Sequence, residues 1–279
     1  MRLTKSPAVK CGPDQLADHP PSHRLAVFQP RYPYNSAMKD SVFASPFENL
    51  GPFQFNDDVA QVFPDMIRRS VPGYGQMVGG AGLLAARYAQ PDSHLYDLGT
   101  SLGATALSMA RHVQASDTRI LAIDNSQPMI ERARNFLNES RSQHDRPIQL
   151  IHGDVLEQPL ENASVSVLNL TLQFLPYESR AGLIQRIYRS TRPGGVLLLA
   201  EKVTFTDPEQ ADWAQECYWD FKRANGYSEL EISQKRTALE NVLVPETAED
   251  HVSRLRDAGF KTVRCWFQTL NFMAWIAIK

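Results

Sequence analysis

The chain has 279 residues, of which 43% are hydrophobic, and carries a formal net charge of −2. The length suits one domain with additions or two small ones, and no apolar run approaches the roughly 20 residues of a membrane span. So balanced a charge provides no basic field for nucleic acid or a membrane surface. Three widely spaced cysteines, Cys11, Cys217 and Cys265, form neither a metal spacing nor a disulfide framework, which points to a reducing, cytoplasmic setting. The seven histidines are equally scattered.

Residues 1–37 hold Pro7, Pro13, Pro20, Pro21, Pro30 and Pro33 and lack periodicity. They read as a disordered arm without the apolar core of a signal peptide, and Met38 is a candidate alternative start. Residues 38–279 read as a single α/β domain. Its N-terminal helices lie within residues 56–90. Asn56 or Asp57 caps the first, which carries Val59, Val62, Phe63, Met66 and Ile67 on one face. Pro64 kinks that helix or marks its start. Val71 to Tyr74 is a turn, and Met77–Tyr88 is the second helix.

Strands and helices then alternate. Strands are expected at 94–98, 119–123, 148–152, 165–170 and 196–201. Helices are expected at 103–112, 127–137 and 180–188, with Arg192 to Gly195 as the turn into the last of these strands. Residues 263–267 and 272–278 read as a closing hairpin. Such alternation predicts a doubly wound, mostly parallel sheet. Residues 207–257 interrupt it with an acidic, aromatic helical insert containing Trp213, Tyr218, Trp219 and Phe221. An insert there covers the ligand or builds a subunit contact.

The stretch from Leu95 to Ala106 is the most informative. A short apolar run ends in Asp97, turns through Gly99 to Gly103 and opens a helix. At the carboxyl end of a first parallel strand this is where a nucleotide-like ligand sits. The dinucleotide fingerprint G-x-G-x-x-G is absent, because position 101 is Ser. The spacing D-x-G-x-x-x-G resembles motif I of class I S-adenosylmethionine (SAM) enzymes, whose nucleoside brings no phosphate to cradle. A tight strand-to-helix turn that binds nothing is the plainer reading.

Most further candidates also have two readings. Asp124, ending the second strand, can accept both ribose hydroxyls with Asn125 beside it, or can cap the helix that starts near Ser126. Asp154, followed by Val155, can accept from an adenine amino group, or can be a loop aspartate. Asn169 ends the fourth strand, where a methionine moiety would lie. Tyr74 can lie over a nucleoside or simply pack. In Phe221–Arg236, Ser228 and Glu231 form a capping box. Lys235 and Arg236 fall near the middle of that helix, where an arginine fork suits a carboxylate. The alternative is a solvated basic patch paired with Glu229 or Glu231.

Together these segments closely resemble the carboxy-S-adenosyl-L-methionine (carboxy-SAM) synthase family. The matching stretches are 62–74, 96–103, 122–126, 168–175 and 220–236, and the likeness runs from about Met38 to the C-terminus. The resemblance implies a seven-stranded sheet of the class I SAM-dependent methyltransferase type, with a helical lid. It implies conversion of SAM and prephenate to carboxy-SAM and phenylpyruvate, through an ylide that captures CO2, without a metal. SAM contacts are implied at Tyr74, Gly99, Thr100, Ser101, Asp124, Asn125, Asp154, Val155 and Asn169. Arg236 is implied to contact SAM and to act catalytically beside the new carboxylate. A homodimer is implied, as is a partner tRNA carboxymethyltransferase that uses the product on wobble uridine; this chain itself need not touch RNA. The family usually has Cys where this chain has Thr100; both are small, and the backbone makes the contact. An ordinary SAM-dependent methyltransferase and a non-catalytic SAM-fold subunit are the alternatives.

Overall fold

The computed structural model describes residues 38–47 and 51–279, and all of them belong to one compact unit, Arg31–Lys279. The expected arm at 1–37 lies outside the described residues.

Two helices come first. The Asn56 side chain accepts from Val59 N at 3.1 Å and caps α1 (Asp57–Ser70). Pro64 sits inside α1 and does not start it. Gly73, at φ +71°, then turns the chain into α2 (Tyr74–Tyr88), which begins three residues before the expected Met77. Beyond them the alternation runs β1 (His94–Leu98), α3 (Ala104–His112), β2 (Arg119–Asp124), α4 (Gln127–Ser140), β3 (Ile148–His152), β4 (Ala163–Asn169), α5 (Tyr177–Ser190) and β5 (Thr191–Thr204). The rest is α6 (Pro208–Ala224), α7 (Glu229–Leu239), β6 (Glu246–Thr247), α8 (Ala248–Asp257), β7 (Thr262–Thr269) and β8 (Phe272–Ile278).

The sheet order is β3-β2-β1-β4-β5-β8-β7, with β6 paired to β5 off this path. The pairings from β3 to β5 are parallel, and β8 runs antiparallel to both β5 and β7. The seven-strand path is the one expected; the two-residue β6 is an addition. Arg192 to Gly195 lie inside β5 instead of forming a separate turn. Gly194 N and Gly195 O bond Lys279 O and N, both at 3.0 Å, so the end of the chain holds this stretch against the sheet.

Both faces of the sheet are covered, so successive strand residues alternate between two cores. Tyr96, Leu98, Leu197, Leu199, Trp275 and Ala277 pack beneath α5 and α8. Leu95, Ile120, Val196, Leu198 and Ile276 pack beneath α2 and α3. This is why the central strands read as near-continuous apolar runs. Within 207–257, α8 joins the first core through Leu255, whereas α6 and α7 lie over the carboxyl ends of the strands.

Candidate active site

A cavity of about 730 Å³ opens at the carboxyl ends of the parallel strands. Tyr74, Gly99, Thr100, Ser101, Asp124, Asn125, Asp154, Val155, Asn169 and Arg236 all line it. The residues singled out between Tyr74 and Arg236 are therefore brought together in one place. α1 and the Phe53–Phe55 segment form one wall, and α6 and α7 another.

The glycine loop is built on two acids, the buried Asp97 and the half-buried Asp124. Asp97 Oδ2 accepts from Thr100 Oγ1 at 2.6 Å and from Ala106 N at 2.9 Å, tying loop and helix to β1. Burial pushes the Asp97 carboxyl up to about 6, against those two donors. Thr100 thus contributes its side chain as well as its backbone. Asp124 Oδ2 accepts from Ser101 N at 2.7 Å, and Oδ1 accepts from Ser126 N at 2.9 Å. Asp124 therefore clasps the loop and the start of α4 together; burial raises its carboxyl, and the Ser126 and Ser101 amides oppose the rise. Ser126 itself caps α4.

Gly99 stands at φ +81°, and a Cβ there would run into the Thr171 side chain. Ser101 at φ +52° and Leu170 at φ +61° are also left-handed, and both line the cavity. For a leucine that conformation is strained, and strain of this kind gathers at functional sites. Leu170 N is held by Ala200 O at 2.7 Å. The turn after it is held by Glu201, fully buried, whose carboxylate accepts from the amides of Thr171, Leu172 and Gln173. Asn169 donates from Nδ2 to Thr105 Oγ1 at 3.1 Å, while its buried Oδ1 has no partner among the described residues.

Asp154 Oδ1 accepts from Leu156 N at 2.8 Å and shapes the turn after β3. The expected capping box of Ser228 and Glu231 opens α7. Glu231 is occupied by that cap, and Glu229 pairs with Arg223. Neither forms an ion pair with Lys235 or Arg236. Arg236 is exposed, with Cζ 5.6 Å from the Trp219 ring centroid, and makes no ion pair or hydrogen bond among the described residues.

Sequence reasoning missed Lys202 and Lys222, which also line the cavity. Lys222 lay within the singled-out stretch 221–236, but a lysine late in an acidic helix reads as a solvated charge. Lys202 follows the buried Glu201 at the end of an apolar strand. That break in the apolar run was the available signal. Among the described residues, no three His, Cys, Asp or Glu side chains gather as a metal site requires.

A methyltransferase-domain family model matches residues 95–195. Among solved structures, human N-acetylserotonin methyltransferase in complex with SAM aligns with a TM-score of 0.53 at 20% identity, covering 80% of this chain and 55% of that one. Magnesium protoporphyrin IX methyltransferase from Synechocystis, with bound SAH, aligns at 0.54 and 13% identity, covering 82% and 90%. The strand order, the glycine loop and these likenesses define the class I SAM-dependent methyltransferase fold. Within it, the carboxy-SAM synthase of Geobacter sp. (strain M21) is 52% identical over 240 residues, covering 86% of this chain and 98% of the relative. That of Aeromonas hydrophila is 54% identical over 241 residues, covering 86% and 96%. The chain belongs to the carboxy-S-adenosyl-L-methionine synthase family: it is a transferase with SAM as a substrate.

Proposed function

We propose that the protein converts SAM and prephenate to carboxy-SAM, phenylpyruvate and water, and that the cavity over the glycine loop performs the reaction. The observation that carries this reading is Arg236. Its guanidinium lines the same cavity as the loop and has no ion-pair partner among the described residues, as a site for a new carboxylate requires.

The residues fit SAM. Each Asp124 oxygen takes one backbone amide and keeps a lone pair for a ribose hydroxyl, with Asn125 alongside. Asp154 and the Val155 amide suit the adenine edge. The orphaned Oδ1 of Asn169 lacks a donor, which the methionine ammonium supplies. The Tyr74 ring and the backbone of Gly99, Thr100 and Ser101 close around the nucleoside.

In the proposed step, prephenate loses its ring carboxylate as CO2 and its ring hydroxyl as water, and the ring becomes aromatic. The proton for that water comes from the SAM methyl group, leaving a sulfonium ylide whose carbon bonds the CO2. Arg236 stabilises the carboxylate as its charge forms. Water quenches an ylide, so the step calls for the cover that α6 and α7 provide over the strand ends. The product then serves a separate tRNA carboxymethyltransferase in the cytoplasm, and the chain works as a homodimer.

Incubation of the purified protein with SAM and prephenate tests the reading. A product heavier than SAM by one CO2, formed together with phenylpyruvate, is expected. S-adenosylhomocysteine as the main product would assign ordinary methyl transfer instead.

A further inference from the structure

Arg236 answers one carboxylate, yet the cavity holds three more cations: Lys202 on β5, Lys222 on α6 and Lys235 on α7. Lys222 and Lys235 are each only 5% exposed. A buried ammonium is costly unless it is paired and hydrogen-bonded. Lys235 is partly compensated, donating to Ser70 Oγ at 3.0 Å and lying 3.7 Å from Asp40. Asp40 is shared, since it also accepts from the Tyr227 hydroxyl. Lys202 has Gln215 Oε1 at 3.5 Å.

The Lys222 ammonium has no hydrogen bond or ion pair among the described residues. Its Nζ rests 4.7 Å from the Tyr218 ring centroid, and Lys202 Nζ lies 4.6 Å from the same centroid. Two ammoniums therefore share one ring, and the third, on Lys235, is close enough to repel that of Lys222. Burial, then repulsion by Lys235 and Lys202, draws Lys222 well below the ordinary lysine value. Burial chiefly draws Lys202 and Lys235 to about 8. Such crowding is unfavourable for the protein alone and becomes favourable once an anion lies among the ammoniums.

We propose that Lys222, flanked by Lys202 and Lys235, forms an anion subsite for the second substrate and grips the carboxylate that survives the reaction. The proposal rests on the prephenate reading above. Charge decides which carboxylate is held. The one lost as CO2 gives up its negative charge on the way to the transition state. A cation against it would stabilise the ground state more and slow its loss. The pyruvyl carboxylate keeps its charge throughout, so a grip on it positions the ring without opposing the chemistry. Lysines are point charges and tolerate rotation of the carboxylate, whereas the fork of Arg236 imposes one orientation. The two kinds of cation suit these two tasks.

Lys222→Met tests the subsite in a steady-state assay that varies prephenate at saturating SAM, alongside calorimetric titration with SAM. KM for prephenate is expected to rise roughly tenfold or more, with SAM affinity within about twofold and partial recovery in Lys222→Arg. An unchanged KM, or equal weakening of SAM and prephenate, overturns the subsite. A second measurement needs no variant. Phenylpyruvate, which keeps the surviving carboxylate, is titrated into SAM-loaded wild-type protein beside phenylacetone, which lacks it. Phenylpyruvate is expected to bind at least roughly tenfold more tightly; equal affinities overturn the subsite. Failure of the wild-type protein to turn over prephenate counts against the proposed function, whereas these comparisons count against the lysine subsite.

Discussion

The Thr100 hydroxyl donates to Asp97 beneath the glycine loop, against a carboxyl that burial has already pushed up to about 6. Thr100→Val removes that donor and keeps the shape, so it leaves a buried acceptor short of a partner. A loss of about 1–3 kcal/mol is expected, read as a shift of the urea midpoint, with Thr100→Ser close to wild type. Arg236→Ala is expected to weaken carboxy-SAM binding by about 1.5–3 kcal/mol beyond any loss toward SAM. Calorimetric titration with the two ligands separates the effects, and equal losses would remove the carboxylate role. The site was legible at this scale wherever a residue hangs from a strand end. Asp97, Asp124, Asp154 and Asn169 each sit at or just beyond the carboxyl end of an apolar run, and position alone marks them. Lys202 and Lys222 were not legible, because only tertiary packing tells a buried ammonium from a solvated one. The same holds for Thr100, whose hydroxyl matters through a partner three residues back.

Between elements, Glu246 of β6 binds Arg180 of α5 and Arg254 of α8, joining two helices on one face of the sheet. Arg180 is 1% exposed and also donates to the carbonyls of Leu175, Val244 and Gln173. Glu246→Ala strands that guanidinium without its carboxylate. A loss of about 3–5 kcal/mol is expected, measured by denaturant unfolding, and a loss below 1 kcal/mol would mean the three carbonyls suffice. The strands at 94–98, 148–152 and 272–278 fall where periodicity and turn residues predict them, because local pattern and sheet burial agree there. The first part of β5 was not legible. Pro193, Gly194 and Gly195 read as a turn, and bonds to Lys279 at the far end of the chain, with one from the Gln90 side chain to Pro193 O, hold them along the sheet. Likewise α8 reads with α6 and α7 as one helical insert; what separates them is that α8 packs on a face of the sheet while α6 and α7 lie over the strand ends.

At the scale of the whole molecule, stability carries the mark of the lysine cluster. Lys235 titrates at about 8 in the folded protein and near 10.5 in the unfolded chain. Between those values the unfolded state binds more protons, so stability rises with pH there. The cost of charging Lys235 is full below about 8 and gone above about 10.5. The stability of the wild-type protein relative to Lys235→Met is therefore expected to climb across that window in urea titrations; a flat difference would show that Lys235 is not strained by burial. The same cavity is lined by Asp124 and Asp154 at the β2 and β3 ends and, on the β5, α6 and α7 side, by four cations and Glu240. That division matches a sulfonium nucleoside on one side and a carboxylate-bearing partner on the other.

The proposed origin of the new carboxyl carbon separates this reaction from methyl transfer. Prephenate labelled with ¹³C in its ring carboxylate, incubated with the protein and SAM, tests it directly by mass spectrometry of the nucleoside product. The account predicts carboxy-SAM that carries the label in its new carboxylate, with the methyl carbon of SAM retained. Unlabelled carboxy-SAM, or S-adenosylhomocysteine in its place, would contradict it.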